Sequence, residues 1–151
     1  MRGVGAVINI VIADDSQLIR KSLVSLLESE PDFKVVGEAR DGFEAVELVN
    51  RLHPRVLVLD LMMPRLSGLE VLGNLRQSNP QVASVVLSMH NNIAYVRETL
   101  RLNAKAYVPK DAPPEELIQA VREAAAGRNY LCSWLQTILS GKPILTPAFE
   151  G

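Results

Sequence analysis

Short apolar runs alternate with helical apolar patterns along most of the chain, and this alternation constrains the fold more than any other feature of the sequence. Runs rich in valine, isoleucine and leucine occupy residues 8–13, 33–37, 56–59, 84–87 and 106–108. After each run, apolar side chains recur every three or four residues, which is the spacing of an amphipathic helix. Repeated strand–helix units predict a parallel sheet with right-handed crossovers and helices on both faces.

Helix start and stop signals separate these units from one another. Asp41 and Ser67 each stand three residues before a glutamate, which is the pattern of a capping box. Pro113 opens the last clear helix and Gly127 ends it, as expected from the preferences of proline and glycine at helix ends. For roughly 120 residues, the economical architecture is a five-stranded, flavodoxin-like α/β domain with strand order 2-1-3-4-5.

The charge balance and the cysteine content exclude several classes of function. Sixteen basic residues stand against 17 acidic residues, for a net charge of −1, whereas a domain that binds nucleic acid carries a basic excess. The single cysteine, Cys132, excludes an internal disulfide framework and suits a reducing compartment. The apolar start lacks a signal-peptide cleavage pattern, and no stretch approaches the ~20 apolar residues of a membrane span. We therefore expect a cytoplasmic protein without a membrane partner.

Polar side chains follow four of the five predicted strands: Asp14 and Asp15, then Asp60, Ser88 and Lys110. Open parallel sheets place their sites at the carboxyl ends of strands, near the point where strand order reverses. Each residue taken alone also fits a structural role, because Asp15 or Ser16 could simply cap the first helix. Their joint placement at one edge nevertheless predicts a functional site.

The chemistry of this set follows from its charges. Three converging carboxylates repel one another and need a cation in order to coexist. Mg²⁺ suits them, because it takes oxygen ligands, keeps several waters and binds phosphate oxygens. A carboxylate can attack phosphorus to form an aspartyl phosphate, while a lysine and a hydroxyl stabilise the transferred group. The residues therefore predict a phosphoryl-acceptor site that uses Mg²⁺.

The motifs around these residues resemble the receiver domain of two-component response regulators, and the NarL/LuxR subfamily of transcriptional regulators in particular. The matching strings are Ile12-Ala13-Asp14-Asp15-Ser16, Leu59-Asp60-Leu61-Met62-Met63-Pro64, Ser67-Gly68, Val86-Leu87-Ser88-Met89-His90 and Ala106-Tyr107-Val108-Pro109-Lys110-Asp111-Ala112. Together they span most of the chain in the expected order. The resemblance implies a phosphorylation-driven signalling switch whose partners are a sensor histidine kinase and, after phosphorylation, a second copy of the chain.

The resemblance also implies which residues form the phosphorylation site. Asp60 would be the phosphoacceptor. Asp14 and Asp15 would hold Mg²⁺ together with Asp60, and the backbone carbonyl of Met62 would complete the protein ligands. Lys110 would contact the phosphoryl group.

Further residues match the switch and tuning positions of the family. Ser88 would move toward the phosphoryl group, and Tyr107 would report the switch by its rotamer. Met62 and His90 match the two positions that tune dephosphorylation, although an exposed loop residue without a function fits His90 equally well. Many receivers have a proline after the lysine, with a cis peptide bond. Here Asp111 follows, so a cis bond is not expected.

The end of the chain carries a second resemblance. Leu145-Thr146-Pro147 is similar to the start of the helix-turn-helix output domain of the subfamily, but four residues follow it. We therefore expect a receiver domain at 7–127, with 128–151 as a linker or as the start of a missing output domain. The chain is either a truncated form or a stand-alone receiver, and the tail favours truncation. In both cases we expect no DNA binding by this chain itself.

Two other functions compete with the switch. A Mg²⁺-dependent phosphatase of the haloacid dehalogenase type would also form an aspartyl phosphate, but it places a second aspartate two residues after the nucleophile, where this chain has Met62. A nucleotide- or flavin-binding module would need a glycine-rich loop after the first strand, where Asp14 and Asp15 instead repel phosphate. We therefore expect a phosphoacceptor that is not an enzyme acting on external substrates.

Overall fold

The structure is a computed structural model that describes residues 6–89, 92–131 and 135–136. Six strands and five helices follow one another along the described part of the chain. The strands are β1 (Ile8–Ala13), β2 (Phe33–Ala39), β3 (Val56–Asp60), β4 (Ala83–Ser88), β5 (Ala106–Pro109) and β6 (Tyr130–Leu131). The helices are α1 (Gln17–Glu28), α2 (Gly42–Leu52), α3 (Gly68–Ser78), α4 (Ile93–Arg101) and α5 (Pro114–Ala125). None of these helices is long and apolar enough to span a membrane.

The strands form one sheet in the order β2-β1-β3-β4-β5-β6, and all neighbouring strands are parallel. This confirms the predicted flavodoxin-like architecture and its strand order, with one added strand at the edge. The order reverses between β1 and β3, which lie side by side although β2 separates them in sequence. The carboxyl ends of β1, β3, β4 and β5 therefore meet at one edge of the sheet.

Two apolar layers cover the sheet, one on each face. Helices α1 and α5 pack on one face, and α2, α3 and α4 pack on the other. All five residues of β3 are buried, as its uninterrupted apolar run predicts for a central strand covered on both faces. The layers leave the strand ends as the place where polar groups converge.

Two of the predicted helix caps are present in the structure, one of them in altered form. Ser67 closes the predicted capping box at the start of α3. The Asp41 carboxylate accepts the backbone N–H of Glu44 at 2.9 Å, but the Glu44 carboxylate accepts from the N–H of Arg40 instead of Asp41. The proline start of α5 has no side-chain cap. The peptide bonds of the described residues are all trans.

Gly42, the first residue of α2, lies directly against the loop that follows β3. A Cβ at this position would lie 2.1 Å from the carbonyl oxygen of Leu66. We expect Gly42→Ala to lower the free energy of unfolding by about 2 kcal/mol, within the range of overpacking penalties. In the matched control Gly73→Ala, in the interior of α3, nothing lies within 4 Å of the added Cβ. We expect this variant to gain about 0.5–1 kcal/mol in the free energy of unfolding. Chemical denaturation measures both changes, and equal stabilities would contradict the close approach at Gly42.

Candidate functional site

The three predicted carboxylates come together at the edge formed by β1 and β3. Ala13 lies beside Leu59 in the sheet, so the residues that follow each of them are neighbours. One carboxylate oxygen each from Asp14, Asp15 and Asp60 lies within 4.8 Å of the others. Asp14 and Asp60 are almost completely buried, at 2% and 5% exposure, whereas Asp15 is exposed. The cluster therefore has a buried floor and one carboxylate open to solvent.

The cap of α1 is Ser16, not Asp15. The Ser16 hydroxyl accepts the backbone N–H of Ile19 at 3.2 Å, as an N-cap side chain does. The backbone N–H of Ser16 in turn donates to Asp14 Oδ1 at 2.9 Å. Capping therefore does not explain the presence of Asp15, and its carboxylate points to the cluster with Asp14 and Asp60.

Lys110 lies just after β5 and crosses to the carboxylates. Its Nζ donates to Asp14 Oδ2 at 3.0 Å and lies 3.4 Å from Asp60 Oδ2. Burial alone would favour the neutral amine, but the hydrogen bond to Asp14 and the charges of both aspartates outweigh it and raise the pKa of Lys110. The backbone N–H of Lys110 donates to the carbonyl of Ser88 at 2.8 Å, which holds the lysine at the strand edge. One ammonium among three carboxylates leaves the cluster negative.

Asp60 is a buried carboxylate whose pKa is shifted by its surroundings. Burial raises the pKa of the Asp60 carboxyl, and the Asp14 carboxylate acts in the same direction. The backbone N–H of Met62, at 3.2 Å from Asp60 Oδ1, and the charge of Lys110 oppose this rise in part. A buried carboxyl with a raised pKa and a specific cationic partner is typical of a functional site.

Ser88 and Tyr107 are joined behind this edge. Both side chains are fully buried, on the neighbouring strands β4 and β5, and their side chains are hydrogen-bonded to each other. Burial raises the pKa of the Tyr107 hydroxyl, and the hydrogen bond with Ser88 counteracts part of that rise. Leu87, the residue before Ser88, is the partner of Asp60 in the sheet. The structure thus connects the carboxylate edge to the interior beside α4.

The loop after Asp60 brings Met62 to the site and is fixed at several points. Met62 has a side chain that is 53% exposed, while its backbone N–H is bound by Asp60. Arg65 takes a left-handed backbone conformation with φ of 71°, and its guanidinium reaches the Asp41 carboxylate at 3.2 Å. Gly68 packs so closely that a Cβ would lie 2.6 Å from the Cα of Leu61. His90, the other predicted tuning residue, lies outside the described residues.

Sequence reasoning did not identify Arg20, which supports the site from α1. Its Nη1 donates to the backbone carbonyl of Asp14 at 2.6 Å, and its Nε pairs with Glu38 at 3.2 Å. Neither contact has a sequence signal, because both depend on how α1 lies across β1 and β2. Arg20 therefore fixes the backbone that carries the acidic pair.

The donor set fits Mg²⁺. Asp14, Asp15 and Asp60 offer hard, anionic oxygens within reach of a single ion, and Mg²⁺ binds such carboxylates while it keeps waters and phosphate oxygens as its other ligands. The excess negative charge of the cluster favours a divalent cation. Asp14, Asp15 and Asp60 are therefore the described residues that could hold this ion.

A doubly wound sheet with carboxylates and a lysine at its carboxyl edge is the arrangement that the receiver resemblance predicts. The family model "Response regulator receiver domain" matches residues 10–122, and the chain belongs to this family. This match confirms the family that the sequence motifs predict. Response regulators are signalling proteins that act in two-component systems.

Within the family, the chain is close to NarL/LuxR-type regulators. It is 40% identical over 124 residues to the transcriptional regulatory protein DegU of Brevibacillus brevis, with 82% of this chain and 52% of that protein covered. It is 37% identical over 131 residues to the nitrate/nitrite response regulator NarL of Escherichia coli K12, with 87% and 61% covered. The chain therefore spans between about half and three fifths of the length of these curated relatives.

A solved structure of a LuxR-family response regulator is also similar to this chain. The crystal structure of a LuxR-family two-component response regulator from Aurantimonas sp. SI85-9A1 superimposes with a TM-score of 0.85 at 29% identity. The match covers 89% of this chain and 96% of that one. The likeness thus extends over almost all of the receiver fold.

Proposed function

We propose that this chain is a phosphorylation-dependent switch in which Asp60 accepts a phosphoryl group from a sensor histidine kinase. The observation that carries the proposal is the buried Asp60 carboxylate at the strand edge, with the Lys110 ammonium 3.4 Å away and two further carboxylates beside it. This arrangement joins a nucleophile, a fixed positive charge and a set of metal ligands. Membership of the receiver family supports the same conclusion.

The reaction follows from these groups. A carboxylate oxygen of Asp60 attacks the phosphorus of the donor, a P–O bond forms, and the P–N bond to the kinase histidine breaks, so the leaving imidazole takes its electron pair with it. The Lys110 ammonium stabilises the negative charge on the phosphoryl oxygens. Asp14, Asp15, Asp60 and the carbonyl of Met62 would hold Mg²⁺, which when bound supplies positive charge to the same oxygens.

The readout of the switch runs through Ser88 and Tyr107. We propose that the Ser88 hydroxyl donates to the phosphoryl group on Asp60, which changes its hydrogen bond with Tyr107. Because both side chains are completely buried, a change at one requires the other to adjust. The resulting change in the surface around α4 would favour a homodimer and control a transcriptional output.

The experiment that tests this function uses a small phosphodonor. After incubation with acetyl phosphate and Mg²⁺, intact mass spectrometry should show one phosphoryl group per chain. Chelation of Mg²⁺ with EDTA should prevent the addition, because the carboxylates then remain uncompensated. A chain that stays unmodified in Mg²⁺, under conditions that label a known receiver in parallel, would contradict the proposal.

The competing function, an aspartyl-phosphate phosphatase, predicts turnover of external substrates. The site has no acidic side chain at position 62, and the Met62 side chain that stands there cannot donate a proton to a leaving group. We expect hydrolysis of p-nitrophenyl phosphate no faster than the self-dephosphorylation of Asp60. Multiple turnovers that exceed this rate would favour the phosphatase.

Ser88→Ala should separate phosphorylation from its readout. The variant keeps the carboxylates and Lys110, so acetyl phosphate should still label it, but it lacks the hydroxyl that links Asp60 to Tyr107. We expect at least about a fivefold loss in the effect of phosphorylation on the dimerisation constant, the lower end of common coupling strengths. The matched control is Ser84→Ala, at the opposite end of the same strand. Analytical ultracentrifugation measures the dimerisation constant of each variant with and without phosphorylation. If phosphorylation changes the dimerisation constant of Ser88→Ala as much as that of the parent, the role of Ser88 is contradicted.

The remaining assignments concern partners and boundaries. We assign the receiver unit to 7–127 and a linker or the start of an output domain to 128–151, and we place the protein in the cytoplasm.

With a net charge of −1, this chain lacks the basic excess that releases counterions from DNA. A gel-shift titration at low salt should therefore show no specific complex, with or without phosphorylation. A sequence-selective complex would contradict this assignment.

A further inference from the structure

A cavity of about 200 Å³ opens between α3 and the end of α4, and we refer to it as the α3–α4 cavity. It is lined by Ser84, near the amino end of β4, whereas Ser88 of the proposed switch lies at the carboxyl end of the same strand. Leu72 and Leu75 of α3 and Leu102 after α4 form an apolar wall. The cavity therefore lies at the opposite edge of the sheet from the carboxylate cluster and shares no residue with it.

Ser84 brings a polar side chain into the interior of the protein. It is 5% exposed, and its hydroxyl has no hydrogen-bond partner among the residues that the structure describes. Val86, two positions along the strand, packs in the layer beneath α3 and α4, so the Ser84 side chain faces the same helices. Buried polar groups are nearly always paired. A buried, unpaired hydroxyl that lines a cavity therefore points to a ligand that carries a hydrogen-bonding group.

Two cations line the same cavity: Arg76 in the last turn of α3 and Lys105 just before β5. Neither forms an ion pair with a carboxylate of the described residues, and the described residues that line the cavity include no aspartate or glutamate. The backbone N–H of Lys105 donates to the carbonyl of Ser84 at 2.8 Å, so Lys105 begins beside the unpaired hydroxyl. Two positive charges and a hydroxyl donor around one opening favour an anion, because hydrogen bonds between such donors and a carboxylate are strong.

The volume and the apolar wall limit what this anion can be. A cavity of about 150 Å³ is large enough for benzene, whereas pockets for drug-sized molecules have volumes of about 300–1,000 Å³. The α3–α4 cavity is thus large enough for one ring and a small attached group. A ring against the leucines, with its charged group toward Lys105, would use both the apolar wall and the cations.

We propose that the α3–α4 cavity is a binding site for a small aromatic monocarboxylate. The ring packs against Leu72 and Leu75, and the carboxylate accepts a hydrogen bond from the Ser84 hydroxyl and pairs with Lys105 and Arg76. This ligand site is distinct from the phosphoacceptor site, since the two lie at opposite edges of the sheet and have no residue in common.

The first test is a titration of the full chain with benzoate at constant ionic strength, followed through backbone amide chemical shifts. We expect saturable shifts at Leu75, Ser84 and Lys105, which line the cavity. The amide of Met62, beside the carboxylate cluster, is the internal reference and should not shift. Benzamide has the ring without the charge, and we expect it to bind at least about tenfold more weakly, the lower end of the effect of a hydrogen bond to a charged group. Acetate should also bind more weakly than benzoate, because it has no ring to bury.

The second test removes the polar groups of the cavity one at a time. Lys105→Met keeps most of the length of the side chain but loses its charge, and we expect its affinity for benzoate to fall by at least about tenfold. Ser84→Ala removes the hydroxyl and should lower the affinity by a similar factor. The matched control is Lys21→Met, because Lys21 is an exposed lysine of α1, on the other face of the sheet. This control should bind benzoate like the parent.

The stability of Ser84→Ala without benzoate separates a binding role of the hydroxyl from a structural one. Removal of a buried hydroxyl that has no partner relieves a desolvation cost, whereas removal of a hydrogen-bonded one lowers stability. We therefore expect chemical denaturation to give Ser84→Ala a free energy of unfolding at least equal to that of the parent. A clear loss of stability would show a structural role and contradict the proposal. The dimerisation assay described above contains no benzoate, so Ser84→Ala remains a control there.

The outcomes of the titrations decide the proposal. Saturable shifts around the cavity, with weaker binding to Lys105→Met and Ser84→Ala and parent-like binding to Lys21→Met, support it. Benzoate that causes no saturable shift at these amides, or that binds Lys105→Met as tightly as the parent, would overturn it. Equal affinities for benzamide and benzoate would also overturn it, because the site would then not recognise the charge. None of these measurements requires phosphorylation of Asp60, so this proposal and the proposed function can fail separately.

Discussion

Asp60→Asn is expected to abolish phosphorylation of the chain by acetyl phosphate. The amide has no negative charge and is not a nucleophile, while its size and shape match those of the carboxylate. Loss of one electrostatic donor at an active site already costs about 10²–10³ in rate, and loss of the nucleophile should cost at least as much. Intact mass spectrometry of parent and variant, incubated side by side with Mg²⁺, measures the effect.

The matched control for this variant is Asp111→Asn. Asp111 is exposed and follows Lys110 in the chain, so the substitution removes the same charge near the site without touching the carboxylate cluster. We expect Asp111→Asn to be labelled like the parent. Persistent labelling of Asp60→Asn, for example at Asp14 or Asp15, would refute the assignment of the phosphoacceptor.

Asp15→Ala is expected to weaken Mg²⁺ binding by at least about tenfold, since even the loss of an outer-shell partner of a metal ligand commonly costs that much. Asp15 is exposed and Ser16 caps α1 in its place, so the fold should keep its stability. Mg²⁺ raises the melting temperature of a protein that binds it only when folded. Thermal denaturation at increasing Mg²⁺ concentration therefore measures both affinity and stability.

The control for this experiment is Asp111→Ala, which lowers the negative charge of the same edge by one unit. If Asp15 acted only through long-range attraction, the two variants would have similar affinities for Mg²⁺. If Asp15 is a direct ligand, Asp15→Ala binds Mg²⁺ much more weakly than Asp111→Ala does. An unchanged Mg²⁺ affinity of Asp15→Ala would show that the exposed carboxylate is not a ligand. Phosphorylation of this variant by acetyl phosphate should fall in parallel with its Mg²⁺ affinity.

Much of the fold could be predicted because its signals are local in the sequence. The apolar run of β3 is buried on both faces, and Ser67 caps α3 with the predicted box. The site was predictable for a related reason. In a parallel sheet, the residue after each strand comes to the same edge, so Asp60 and Lys110 meet although 50 positions separate them in the chain.

Other features were not predictable because they depend on tertiary packing. β6 is a two-residue strand, too short to produce a periodic pattern, and its formation requires the open edge of β5. Arg20 binds the backbone carbonyl of Asp14 from α1, and Arg65, in the loop after β3, binds the Asp41 carboxylate at the start of α2. No spacing in the sequence indicates either contact. The Glu44 carboxylate accepts the backbone N–H of Arg40 and not that of Asp41, which a capping box requires. The sequence does not indicate which of these two neighbouring donors the carboxylate binds.

The most direct test of the proposed function is to locate the phosphoryl group chemically in the unaltered chain. Borohydride reduces an aspartyl phosphate to homoserine, which has a different mass from aspartate. After incubation with acetyl phosphate and Mg²⁺, reduction and peptide mass spectrometry should find homoserine at position 60 and aspartate at positions 14 and 15. Homoserine at position 14 or 15, or an unmodified residue 60 in a chain that has gained a phosphoryl group, would contradict the role of Asp60.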